Sequence, residues 1–400
     1  MKNILKQFFA FAFITGIVLS CQPKQEPLSV LIEDRLSHSK AQYKLMAQSL
    51  MDEPDRLPRS YNAMMDRLIT SNQYWWCSGF VPGTLWYLYE YSNCPQILDY
   101  ARNYTSRVES VQHYRGDHDL GFMLYCSFGN GYRLTGDTTY RRIMLVGAES
   151  LISRFYPSVG AIMSWNPNNR WRFPVIIDNM MNLEFLFWAT KASGDPKYHD
   201  ISISHAEVSM KHFFRDDFST YHVVSFDPET GAPEVKNTHQ GFANESAWAR
   251  GQSWGFYGFV MMYRETQDVR YLELAKNIAN FLINHPNMPE DKIPYWDYNA
   301  PNIPHAFRDA SSGAIMMSAL IELSGYVDDK LAKTYLDVAE TQIRTLSSPT
   351  FFAELGTNGN FILKNSVGHL PGNSEVDVPL TYADYYYIEG LMRYRALLNK

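Results

Sequence analysis

Cysteine is scarce in this chain: four residues in 400, at positions 21, 77, 94 and 126. None stands in a CxxC spacing, which argues against a zinc ribbon and against a disulfide framework as the source of stability. Charge is sparse too, since 36 Lys and Arg against 42 Asp and Glu make up only 20% of the chain and leave a net charge of −6. That balance excludes a broad basic grip on nucleic acid. Strand-like alternation is rare, and the apolar run from Phe8 to Leu19 is too short to span a bilayer in an ordinary protein. What the chain does have is aromatic rings: 23 Phe, 9 Trp and 27 Tyr, more than half of them with a polar tip. Such rings suit a sugar-binding surface that is apolar on its face and wet at its edge, and they equally suit a large aromatic core. Composition leaves both readings open.

Lys2 and Lys6 followed by the Phe8–Leu19 run have the form of a signal peptide, so residues 1–20 are set apart from the fold. The run ends Val18-Leu19-Ser20-Cys21, which resembles the bacterial lipobox and implies lipidation at Cys21 after cleavage. Plain secretion, with Cys21 incidental, is the other reading. Gln22-Pro23-Lys24-Gln25-Glu26-Pro27 reads as flexible, and a tether is expected over 21–39 with the folded domain over 40–400. Cleavage removes two lysines and no acid, so the net charge of −6 becomes −8. An anionic ligand would then need a local cation. An exported lipoprotein, periplasmic or associated with the outer membrane and touching the bilayer only through its lipid, is the expectation. The other three cysteines are expected to serve as small buried hydrophobes.

From about residue 40 the apolar pattern is helical, and one junction recurs. Thr135-Gly136-Asp137, Ser193-Gly194-Asp195-Pro196 and Thr266-Gln267-Asp268 each combine a helix stop with an Asp suited to N-capping, and an aromatic follows three residues after the Asp. Helices before the junctions are apolar all round, as in Gly251–Tyr263. Those after them carry charge on one face, as in Leu331–Arg344. About six such pairs fit, and the closed arrangement that buries the apolar set is all-α: two concentric rings, an (α/α)6 barrel. An open solenoid would leave those inner helices exposed. The return connections, roughly 104–118, 156–175, 214–248, 286–307 and 348–380, are long and converge on one mouth, where long loops ordinarily carry function.

Ionisable residues stand where those returns re-enter the barrel: His118-Asp119, Asp178, Arg250 and Arg308-Asp309. Asp178 lies between Val175-Ile176-Ile177 and Met180-Met181, an apolar setting that disfavours a charged carboxylate. Any one of these aspartates would ordinarily be a helix cap. Two, Asp119 and Asp178, at a single mouth rich in Trp and Arg point to a site.

The segments His118-Asp119-Leu120-Gly121-Phe122, Ile176–Leu183 and Trp248–Gly258 resemble the hallmark segments of the unsaturated glucuronyl hydrolases, glycoside hydrolase family 88. The similarity continues through Trp76–Gly83, Val378-Pro379-Leu380 and Asp384-Tyr385-Tyr386. Val81 and Cys77, beside Trp76, depart from the pattern. The resemblance implies an (α/α)6 barrel acting on lyase-generated oligosaccharides that end in a 4-deoxy sugar acid with a C4=C5 double bond. It implies hydration of that bond, with Asp178 as general acid and base and Asp119 as a second essential carboxylate that tunes it. Substrate contacts are implied at His118, His222, Gln240, Trp248 and Arg250, with Arg250 or His222 suited to an anionic sugar. Trp76, Trp165 and Trp254 are expected as stacking faces, and Ser366, His369 and Asp377 lie in the last return. No cofactor and no catalytic metal is implied. The alternatives are an unsaturated rhamnogalacturonyl hydrolase of the sister family 105, and a non-catalytic glycan-binding lipoprotein, which would have no need of a buried carboxylate pair.

Overall fold

The computed structural model describes residues 25–399; the signal segment and Cys21 lie outside the described residues. Six inner helices form a closed ring: α2 (Phe80–Ser92), a π-helix (Gly121–Gly129) continuing into α4 (Asn130–Thr135), α6 (Leu183–Ser193), α8 (Ala249–Thr266), α10 (Ala310–Leu323) and α12 (Thr381–Leu398). Each packs on its neighbours around the ring, and α12 meets α2. Outside them lie α3 (Pro95–Arg107), α5 (Thr138–Ile152), α7 (Lys197–His212), α9 (Val269–Asn284) and α11 (Asp329–Leu346). The sixth outer helix is α1 (Leu28–Ser49), from the other end of the chain, which packs on α12. The expected (α/α)6 barrel is the observed architecture.

One expectation is corrected. Residues 28–39 are the first half of α1, with Leu28, Leu31, Ile32 and Leu36 buried, so most of the expected tether belongs to the fold. Its polar composition hid an apolar stripe.

Local chemistry explains the alternation. In α8 every residue from Ala249 to Met262 is buried, whereas in α11 the buried set is Tyr335, Val338, Ala339, Gln342, Ile343 and Leu346, one stripe at helical spacing. The junction aspartates act as caps: Asp137, Asp195 and Asp268 accept from the backbone N–H of Thr139, Lys197 and Arg270 at 2.8, 3.0 and 2.9 Å. Gly136 and Gly194 end the preceding helices at φ +68° and +79°, the left-handed region a glycine enters without a Cβ penalty.

The returns carry short strands that sequence alternation does not reveal. Strands β1 (Leu57–Asn62) and β2 (Arg67–Ser71) form one hairpin, and β3 (Phe155–Tyr156) and β4 (Ala161–Ile162) a second. A three-stranded sheet joins β5 (Pro174–Ile176) to β6 (Val223–Phe226) and β7 (Pro233–Asn237), and β8 (Ser366–His369) with β9 (Ser374–Val378) closes the set. All lie at the mouth where the inner helices begin. Among the described cysteines, Cys77 and Cys126 are buried and Cys94 partly so, all as free thiols.

Candidate active site

The returns enclose a cavity of about 410 Å³ whose lining includes Asp119, Asp178, Gln240, Trp248, Arg250 and the rings of Trp76, Trp165 and Trp254. Asp178 follows β5 on a 3-10 turn, Ile177–Asn182. That turn lies against α8 because Gly255 and Gly258 leave room: a Cβ at Gly258 would stand 2.5 Å from the Cβ of Met180. Asp119 lies two residues before the π-helix.

Whether these aspartates are caps is settled by their hydrogen bonds. Asp309 is a cap, accepting from Ser311 N–H at 3.0 Å. Neither Asp119 nor Asp178 caps the helical turn that follows it. Both are nearly enclosed, at 9% and 6% exposure, and both face the cavity. Neither carboxyl is committed to a cap.

Burial raises the Asp178 carboxyl to about 7 against the opposing field of Arg250. Asp119 is raised well above the carboxylate range, first by burial and then by repulsion from Asp117 and Asp178. Burial is the largest cause for both carboxyls, and the two repel one another.

Behind each carboxyl stands a neutral imidazole. His222 Nδ1 accepts from the backbone N–H groups of His239 and Gln240 at 3.1 and 3.2 Å, which fixes the ring proton on Nε2. That Nε2 points at Asp178 Oδ1 from 3.8 Å and has no hydrogen-bond partner. Trp248 packs on the imidazole with ring centroids 4.4 Å apart. His118 Nε2 lies 3.5 Å from Asp119 Oδ1, and burial holds its pKa down to about 3. Neither His118 nor His222 lines the cavity, which corrects their expected role as substrate contacts: they stand behind the carboxyls.

Arg250 is also placed differently in kind. It is 1% exposed, and its guanidinium donates to the carbonyls of Val367 and Gly368 and lies 3.3 Å from Asp309. Its fork anchors the β8–β9 hairpin, so it gives the cavity a positive field instead of an open anion clamp. Gln240 donates to the Gly368 carbonyl at 3.0 Å and braces the same hairpin. Trp254 packs on Phe122 at 5.1 Å and Trp76 on Tyr382 at 4.8 Å, forming the aromatic floor, and Trp165 stands edge-on to His222 and His239.

Several lining residues went unread in the sequence. Arg59, on β1, pairs with Glu375, on β9, at 2.5 Å and stacks 3.8 Å over Trp75, so hairpins from opposite ends of the chain meet across the pocket. Glu375 sits at φ +56°, a strained region for a side chain of its size, of the kind that concentrates at functional sites. Tyr114, Asp117, His239 and Tyr382 complete the wall. Asp117, two residues before Asp119, was within reach of the motif; the others depend on loop course. Of the last return, His369 lines the cavity, whereas Ser366 is buried and Asp377 lies outside the lining. Among the described residues no group of three His, Cys, Asp or Glu side chains is placed to hold a metal ion.

Comparison with known proteins follows the same lines. The family model for Glycosyl Hydrolase Family 88 matches residues 46–392. An unsaturated glucuronyl hydrolase of Formosa agariphila is 45% identical over 327 residues, 81% of each chain. An unsaturated chondroitin disaccharide hydrolase of Streptococcus agalactiae is 33% identical over 325 residues, covering 80% of this chain and 81% of its own. Among solved structures, an unsaturated glucuronyl hydrolase specific for heparin superposes with a TM-score of 0.90 at 45% identity, covering 93% of this chain and 99% of its own. An Asp-to-Asn variant of the Streptococcus agalactiae enzyme, complexed with dGlcA-GalNAc6S, superposes at 0.78 with 28% identity over 92% of each chain.

Proposed function

The chain belongs to glycoside hydrolase family 88, and we propose that its mouth releases the unsaturated uronic acid from the non-reducing end of lyase-generated oligosaccharides by hydrating the C4=C5 bond. The observation that carries the mechanism is the uncapped, buried Asp178 with a carboxyl at about 7, facing an aromatic-floored cavity. Asp178 donates its proton to C4. Positive charge develops at C5 and the ring oxygen, and the carboxylate just formed stabilises it. The same carboxylate then takes a proton from the water that adds to C5. The product is a hemiketal, which opens and lets the remaining saccharide depart. Because no displacement occurs at the anomeric carbon, the acid–base spacing rule of ordinary glycosidases does not govern this pair.

Asp119 is read as a second essential carboxyl that holds sugar hydroxyls. His222 Nε2–H, aimed at Asp178 Oδ1, favours the ionised form as it appears and so assists the first half of the reaction, the proton transfer to C4. The Trp76 and Trp165 rings are read as stacking faces.

The test follows the ultraviolet absorbance of the conjugated double bond on a panel of unsaturated disaccharides from chondroitin, hyaluronan, heparin-type and ulvan-type polymers, with and without sulfate. Absorbance lost in the parent and retained in Asp178→Asn supports the reading. Substantial turnover by Asp178→Asn sinks it, and binding without loss of absorbance would make the protein a binder. A heparin-specific relative at 45% identity makes heparin-type disaccharides the first to try. Lipidation of Cys21 and export are part of the same proposal, supported by Lys2, Lys6, the Phe8–Leu19 run and the Leu19-Ser20-Cys21 ending. Fatty-acid labelling that is lost in Cys21→Ala tests that part.

A further inference from the structure

A second cavity, of about 380 Å³, opens at the end of the barrel opposite the reaction mouth. Phe122 is the one residue common to both linings. It sits on the π-helix Gly121–Gly129, which also brings Tyr125 and Cys126 to the far cavity. π-Helical turns are rare and concentrate at functional sites.

The deep wall is a fixed polar surface. Glu389, 5% exposed, accepts from Tyr87 Oη at 3.1 Å, Tyr257 Oη at 3.2 Å and Ser318 Oγ at 2.6 Å. Each charge on the cavity already has a partner on the protein: Glu389 with Arg393 at 3.6 Å, Glu184 with Arg264 at 2.5 Å, and Arg133 with Glu90 at 2.7 Å. The site therefore makes no net ionic demand. What it leaves open is hydroxyl chemistry. Tyr386 and Tyr125 line the cavity, and neither hydroxyl is hydrogen-bonded to a described residue, so both are open to a ligand. Half-buried Trp188 adds an indole on the wall, stacked on Phe185 at 21° between ring planes.

We propose that this cavity is a binding site for a neutral sugar, distinct from the reaction site. One pyranose ring lies on the Trp188 indole, and its hydroxyls meet those of Tyr125 and Tyr386. The volume falls near the lower end of small-molecule sites, roughly 300–1,000 Å³. A quaternary ammonium ion also favours aromatic boxes, but both carboxylates here are already bound to arginines.

The experiment is a soak of crystals of the full chain with glucose, N-acetylglucosamine or rhamnose, and separately with tetramethylammonium, together with solution titrations of the same compounds by ligand-observed NMR. Expected is a sugar ring against Trp188 in the far cavity. Affinity should fall about fivefold or more in Tyr386→Phe, the loss of one hydrogen bond, and further in Trp188→Ala, with disaccharide turnover within about twofold of the parent in both. If Trp188→Ala fails to fold, Tyr386→Phe, which removes one oxygen, decides alone. A cavity empty at saturating sugar, tetramethylammonium bound there instead, or unchanged sugar affinity in Tyr386→Phe would overturn the proposal.

Discussion

Asp178 is held near neutrality by burial, and this has opposite consequences for chemistry and for stability. As an acid it must carry its proton, so turnover should fall as pH rises through about 7. For stability, the folded chain keeps a proton that the unfolded chain, with an ordinary carboxyl near 3.9, releases between about pH 4 and 7. Folding stability from this residue is therefore lost as pH rises across that window. Asp178→Asn removes the liability: its unfolding midpoint should exceed that of the parent at pH 8, by up to about 4 kcal/mol, and match it near pH 4. Thermal melts at the two pH values check this. Asp119→Asn should cost turnover yet keep an alkaline limb in the pH profile, because the burial that raises the Asp178 carboxyl persists in the variant. Loss of that limb would contradict the assignment of Asp178 as the acid. His222→Gln, which keeps a donor but loses the fixed ring, should lower kcat with little change in KM, since His222 does not line the cavity. Asp178 was legible in the sequence because an acid inside an apolar run is conspicuous. The tautomer of His222 was not, because it rests on two backbone N–H groups 17 and 18 residues away.

At the scale of elements, the inner helices and their returns are held in register by a few buried polar groups. Asp384 on α12 accepts from Tyr43 Oη of α1 at 3.0 Å and from the backbone N–H of Ile362 and Leu363 at 3.0 and 2.8 Å. It joins an outer helix, an inner helix and the last return. Asp384→Ala strands three buried donors and should cost about 2–4 kcal/mol, with a smaller loss in Asp384→Asn. Denaturant melts measure both. The helices and their caps were legible because 3.6-residue periodicity and a capping Asp are local signals. The mouth hairpins were not: strands of two to six residues give alternation too little length to register, and their pairing joins segments far apart, as β5 with β6.

The whole molecule is a ring, and a ring must be closed. α1 closes it: Gln42 bonds the Thr357 and Phe361 carbonyls and the Gly356 N–H, while the Ala47 carbonyl accepts from Tyr104 Oη at 2.8 Å. A chain begun after Ser49 should lack a cooperative unfolding transition, since α12 would lose its outer partner; a calorimetric scan of the truncated chain against the parent checks this. The same closure brings Arg59 and Glu375 together over the pocket. By itself the sequence determined the helical periodicity, the inner and outer sets, the junction caps and the two aspartates at one mouth, all of which follow from neighbours within a few positions. Only the tertiary structure decided which groups touch the cavity. His118 and His222 stand behind the carboxyls, Arg250 is tied to a hairpin, and Arg59 and Glu375 reach the wall. A side chain's access to a pocket depends on which distant segments pack against it, and residue spacing along one segment carries no record of that.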